Sequence, residues 1–219
     1  MIPWETLGRE RAPDGAELVL YHRNGEYSIR VGGRELMSSR AHGSEEELAR
    51  RACSGLPAGA RVLIGGLGLG YTLRAALDGL SAGATVQVAE IVPAVVAWNR
   101  GPLAHLAGRP LDDARVTLEP HDVGAVMKRG PRWDAILLDV DNGPAALTRK
   151  ANQSLYGDTG LATARRALRP GGVLAVWSAS PDHAFEKRLA RAGFTASAID
   201  TPARGRAGGP LHTLFFGRI

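Results

Sequence analysis

Cysteine is nearly absent from this 219-residue chain. Cys53 stands alone, which excludes an intramolecular disulfide and any cysteine metal cluster. Long apolar runs are missing too. No stretch reaches the roughly 18–20 consecutive apolar residues that a membrane span needs, so no membrane partner is expected. The opening "MIPWETLGRERAPDGAELVL" has no basic segment followed by an apolar one. No signal peptide is read there, and a cytoplasmic location is expected. His105, His121, His183 and His212 stand at no metal-ligand spacing, so no metal is expected. There are no internal repeats and no long runs of one charge. The net charge is +5, but the arginines are scattered, with pairs at Arg50-Arg51 and Arg165-Arg166. The basic excess therefore reads as composition bias rather than a nucleic-acid footprint.

What is present is enough apolar material for a core, 44% of the residues, in a length that fits one α/β domain with a small appendage. The appendage is read at residues 1–43. "ELVLYHRNGEYSIRVGGRELM" alternates apolar and polar residues, with turn signals at Asn24-Gly25 and Gly32-Gly33. Asn-Gly between alternating runs marks a hairpin, and three short antiparallel strands are expected near 17–22, 27–31 and 34–37. In "GSEEELARRAC" Ser44 is placed to cap a helix, with Glu47 at the capping-box position.

Residues 44–219 are read as the second unit. From Arg61 onward strand and helix patterns alternate. Strands are expected at 61–65, 84–90, 115–118, 133–139 and 172–177, with helices near 69–80, 92–101, 122–129, 157–168 and 181–192. Apolar strands alternating with helices indicate a mostly parallel sheet covered on both faces. "FTASAID" and "LHTLFFGRI" read as two closing strands that complete a seven-stranded sheet, joined by the Gly/Arg/Pro loop "TPARGRAGGP".

The first of these strands ends in Gly65, Gly66, Gly68 and Gly70. Bare backbone at that bend lets a ligand approach closely, and the next helix offers free amides. A dinucleotide fingerprint needs G-x-G-x-x-G, but counting from Gly66 its third glycine falls on Tyr71. A nicotinamide oxidoreductase is disfavoured on that ground, and the Gly-Lys-Ser/Thr of a phosphate loop is absent. The G-x-G-x-G found here is common in folds that bind S-adenosylmethionine. The second strand ends in Glu90, about 20 residues beyond Gly70, where a carboxylate can accept both ribose hydroxyls. The third ends near Asp122, where an acid can accept from an adenine amino group. The fourth ends in Asp139 and Asp141. Ile91 and Val123, each following its acid, are counted with the nucleoside site. Taken singly, Gly70 could serve helix packing, Glu90 could be a solvated strand end, and Asp122 could cap a helix. Four strand ends in order favour a nucleoside site.

These residues resemble the spermidine synthase family, built on the Rossmann-like class I methyltransferase fold. "GGRELMSSRAHGSEEELA" looks like that family's β-region and entry helix, "GGLGLG" like its glycine loop, "VAEIVPAVVAWNR" like its ribose-binding strand and helix, and "WDAILLDVDNGP" like its catalytic loop. The resemblance implies a transferase and a homodimer. The co-substrate would be decarboxylated S-adenosylmethionine or S-adenosylmethionine itself, and the acceptor an amine. It places the acid that orients and deprotonates the amine at Asp139, with Asp141 as rival because the loop is short.

The chain departs from the family at several points. Leu67 and Leu69 stand where an acidic residue usually lies. Glu45 stands for a Tyr and Leu36 for a Gln, both of which face the diamine. His42 and Glu45 are counted as possible acceptor contacts. Tyr156 either lines the acceptor pocket or anchors the next helix, and Trp98 and Trp177 read as packing. Methyl and aminopropyl transfer both stay open, since an uncharged loop of free amides suits a donor carboxylate. The alternative from another class is a nucleoside-binding interaction protein without catalysis.

Overall fold

The computed structural model describes residues 2–11, 15–130, 132–140, 143–144 and 154–219. A small antiparallel sheet runs β1 (Glu5–Arg11), β2 (Glu17–Arg23), β3 (Glu26–Val31) and β4 (Arg34–Ser38), in that spatial order. The two turns read from the sequence are both present. Asn24 and Gly25 take φ of 50° and 77°, and Gly32 and Gly33 take 55° and 79°. Paired positive φ is the geometry whose twist matches that of the flanking strands.

Strand β1 was not expected. Its "ETLGRER" is exposed at six of seven positions and carries no apolar alternation, so it is an edge strand made by ladder bonds to β2. Its ladder shifts register between Thr6 and Gly8. A Cβ at Gly8 would lie 2.7 Å from the indole Nε1 of Trp98, so glycine is what lets β1 cross the following domain.

Helix α1 (Gly43–Cys53) comes next, but Ser44 does not cap it. The capping position is His42, without a side-chain cap, and Ser44 is fully buried within the first turn. Glu47 pairs instead with Arg50 and Arg51. The capping box fails because both members have stronger partners elsewhere.

The large unit continues with β5 (Arg61–Gly65), α2 (Tyr71–Gly79), β6 (Thr85–Ala89), α3 (Pro93–Arg100), β7 (Val116–Glu119), α4 (Val123–Arg129) and β8 (Trp133–Leu138). It closes with α5 (Asp158–Ala167), β9 (Leu168–Ser178), α6 (His183–Arg191), β10 (Thr195–Pro202) and β11 (Leu211–Arg218). The seven strands lie in the order β10-β11-β9-β8-β5-β6-β7. Neighbours from β9 to β7 are parallel, and β11 and β10 add antiparallel. Chain order reverses between β5 and β8, the switch point at which open α/β sheets bind ligands.

Period-two alternation explains how the two faces are filled. Val62, Ile64, Val86 and Leu137 face a core shared with α1, α2, α3 and residues Leu18, Leu20 and Ile29 of the small sheet. Leu63, Ile136 and Leu138 face a second core under α4, α5 and α6. The small sheet is thus packed over one face, above the end of β5. No described helix is long and apolar enough to cross a membrane.

The starting ends of the central strands, opposite the glycine bend, are pinned by Asp134, 8% exposed. Its carboxylate accepts from the Arg61 amide at 2.7 Å and from Arg169 Nη1 at 2.8 and 3.1 Å, so one side chain ties the starts of β5, β8 and β9. Asp134→Ala should cost about 2–3 kcal/mol, the scale for a buried charge-assisted bond, in chemical denaturation. Because this anchor lies at the far end of the strands, ligand affinity in the folded protein should not change.

Candidate active site

At the switch point the glycine bend and the end of β8 are built around each other. The Asp139 amide donates to the Gly65 carbonyl at 3.0 Å. A Cβ on Gly66 (φ 88°) would fall 2.2 Å from the Asp139 carbonyl oxygen, so only glycine fits. Gly68 (φ 55°) faces open space, with only Met37 Sδ near, 3.5 Å from its missing Cβ. Gly66 and Gly68 line a cavity of about 180 Å³. Gly65 and Gly70 are absent from its wall. Gly65 lies beneath Val123 and Gly70 against Asn99 and Pro110, so they serve the turn and its packing. Leu67 and Leu69 point into the core and are buried.

Glu90 lines the cavity but also organises the bend. One carboxylate oxygen accepts from the Leu67 amide at 3.0 Å and the other from the Val92 amide at 2.8 Å. The loop is not the bed of free amides expected from sequence. The Leu67 amide goes to Glu90, that of Gly66 to Ala89, and that of Gly70 to Leu67. Asn99 completes the arrangement, donating to the Gly68 carbonyl at 2.8 Å and the Val95 carbonyl at 2.9 Å while 2% exposed. Sequence reasoning missed it. A polar residue inside the apolar run "AVVAWNR" was the available signal.

Ile91 and Val123 form apolar wall, and Asp122 sits at the cavity while its carboxylate caps α4 by accepting from the Ala125 amide at 3.1 Å. The outer wall comes from the small sheet, through Leu18, Val31, Leu36 and Met37. The side chains of Glu90, Asp122 and Asp139 are the charged groups among the described lining residues, and no Lys, Arg or His is among them.

Asp139 accepts from the Thr72 hydroxyl at 2.5 Å. Burial pushes its carboxyl up to about 6, against the lowering effect of the Thr72 bond. Glu45, on the first turn of α1, is pushed well above the ordinary carboxylate range by burial and by the negative charges of Asp139 and Glu46. Both residues keep part of their surface open, yet protein encloses the carboxyl groups themselves. Two carboxylates this close do not ionise independently. The Tyr71 hydroxyl is driven to about 12 by burial and by Glu45 and Glu46.

His42 does not line the cavity. Its ring stacks on Tyr71 at 4.0 Å, and its Nδ1 pairs with Glu46 at 2.8 Å. Tyr156 is 2% exposed, packs edge-on against Phe185 and donates to the Val140 carbonyl at 3.5 Å. It therefore acts as an anchor behind Val140. Asp141 lies outside the described residues. Among them no group of three or more His, Cys, Asp or Glu converges as a metal site.

Two measurements follow. Asn99→Ala removes the tether of the Gly68 carbonyl, and nucleoside affinity should fall about tenfold, equivalent to roughly 1.4 kcal/mol, by calorimetry. Asp139 binds its proton more tightly folded than unfolded. Its contribution is therefore fully present below the ordinary value of 3.8 and is lost as pH rises through about 6. Asp139→Asn should raise stability at pH 8, by up to about 3 kcal/mol, and leave it little changed at pH 4, read as melting temperature at the two pH values.

No family model and no curated protein matches the chain. Solved structures do. A spermidine synthase in complex with the transition-state analogue AdoDATO shares 16% identity at TM-score 0.77, over 97% of this chain and 72% of that one. A spermidine synthase from Thermotoga maritima gives 17% and 0.78 over the same shares. A probable spermidine synthase from Corynebacterium glutamicum ATCC 13032 gives 17% and 0.63, over 96% and 79%. Two sheets in this arrangement, closed over a switch-point cavity, make this a chain with the spermidine synthase-like form of the class I methyltransferase fold.

Proposed function

We propose that the cavity binds an adenosyl sulfonium and that the protein transfers an alkyl group, by preference aminopropyl, from it to an amine. The observation that carries this reading is Asp139. This residue directly follows a fully buried strand at the switch point and lines the cavity, and its carboxylate is held by Thr72. In this reading Glu90, on the cavity wall, takes the ribose hydroxyls, and Asp122 takes the adenine amino group. Ile91 and Val123 flank the base.

An acceptor amine is protonated at neutral pH and must lose that proton before it attacks. A base whose own proton affinity is raised toward neutrality suits that transfer. The nitrogen lone pair attacks the carbon beside the sulfonium, and the C–S electron pair returns to sulfur as a neutral thioether. The ammonium proton passes to Asp139. A structural neighbour, a spermidine synthase, is in complex with the transition-state analogue AdoDATO, which supports a reading as a transferase of this kind.

The preference for a donor without a carboxylate rests on charge. Three carboxylates and no cationic side chain line the described cavity, and three loop amides already have partners. A donor carboxylate would meet repulsion with little to offset it, whereas an ammonium tail is attracted.

Calorimetry with decarboxylated S-adenosylmethionine, S-adenosylmethionine, methylthioadenosine and NAD tests this. The decarboxylated donor should bind at least about tenfold tighter than S-adenosylmethionine, methylthioadenosine should bind, and NAD should not. Equal or reversed donor affinities favour methyl transfer. Asp139→Asn should keep methylthioadenosine affinity and lose about 10²–10⁴-fold in single-turnover transfer. Nucleoside binding with no transfer to any amine by the unaltered protein would favour the non-catalytic alternative.

A further inference from the structure

The first turn of α1 carries Glu45 toward Asp139, with Glu46 beside it, a placement that charge repulsion opposes. What holds it comes from the other end of the chain. The Gly43 amide donates to the Ala203 carbonyl at 2.8 Å, and a Cβ on Gly43 would fall 2.2 Å from the Gly205 nitrogen. The Gly/Arg/Pro loop between β10 and β11 is thus seated, backbone to backbone, on the entry to α1.

One residue later Ser44, fully buried, accepts from Trp177 Nε1 at 3.0 Å and pairs with His212 Nδ1 at 2.9 Å. The rings of Trp177 and His212 meet edge-on at 4.7 Å. Indole is a donor only, so the Ser44 hydrogen is free to go to His212 Nδ1, with the ring proton on Nε2. Burial depresses the basicity of His212 and so favours the neutral ring this pattern requires. A helical serine ordinarily bonds back to its own helix; this one is committed across to β9 and β11.

We infer that Ser44, His212 and Trp177 are positioning residues for the acceptor end of the cavity, fixing the first turn of α1 so that the Glu45 carboxyl stays beside Asp139. This rests on the reading of Asp139 as the acceptor end given above. The bonds of the brace run among α1, β9 and β11, so it acts on the acceptor end and not on the nucleoside end.

The test needs neither donor turnover nor a known acceptor. In protein labelled with ¹³C at the glutamate carboxyls, Glu45 is assigned by its loss in Glu45→Gln and titrated by NMR. The groups that face it are Asp139, Glu46 and Tyr71. In the wild type its midpoint should lie well above those of the other glutamates. In Ser44→Ala and in His212→Phe it should fall by at least about one unit, while methylthioadenosine affinity stays within about twofold. Ser44→Thr and His212→Asn, which keep the bonding atoms, should restore it.

An unchanged Glu45 midpoint in folded Ser44→Ala or His212→Phe overturns the inference and leaves the brace as core packing. So does an ordinary midpoint in the wild type, or an equal loss of methylthioadenosine affinity. If Ser44→Ala does not fold, His212→Phe and His212→Asn carry the comparison. Failure of the proposed transfer would appear separately, in the donor and turnover measurements on unaltered protein.

Discussion

The structure turns on one close approach. At the switch point the backbone of Gly66 lies against the backbone of Asp139, with no room for a side chain between them. Because the Asp139 amide also donates to Gly65, the glycine bend and the end of β8 cannot move independently. Glu90 then ties the bend to the start of α3 through two amides, and Asn99 ties it to the last turn of that helix. A site assembled from four strand ends is made rigid by a few bonds to one loop. That is the condition for holding groups in place before a ligand arrives.

The second constraint is charge. The described cavity wall is apolar apart from backbone and three carboxylates, and Glu45 lies behind one of them. Negative charge gathers there, and burial holds protons on Asp139 and Glu45 above the ordinary carboxylate range. The cost falls on stability, as buried like charges repel. It is met by distant anchors, including the Ser44 brace and the seating of Gly43 on the loop at Ala203 and Gly205.

Much of the fold was legible in the residues. Buried parallel strands read as apolar runs, and the hairpin turns at Asn24-Gly25 and Gly32-Gly33 declare themselves through residues that tolerate positive φ. Strand β1 escaped because an exposed edge strand needs ladder bonds and no apolar pattern. Ser44 was misassigned because a capping motif is a local signal, and its true partners, His212 and Trp177, are more than a hundred residues away in sequence. The acids at strand ends were recognisable by position. Thr72 and Asn99 were not, since each acts on a group elsewhere in the chain.

By itself the sequence determined the order and type of the elements, the reversal of the chain at a glycine bend, and which strand ends carry carboxylates. Periodicity and turn chemistry are local and survive in one dimension. Only the tertiary structure decided that Gly70 supports packing while Gly66 makes room for Asp139, and that Glu90, expected to take ribose hydroxyls, also braces the glycine loop. Only it decided that Leu36 and Met37 close the cavity and that Glu45 and Asp139 share one environment. Those outcomes depend on desolvation and on through-space distance between segments far apart in the chain, and no local pattern encodes either quantity.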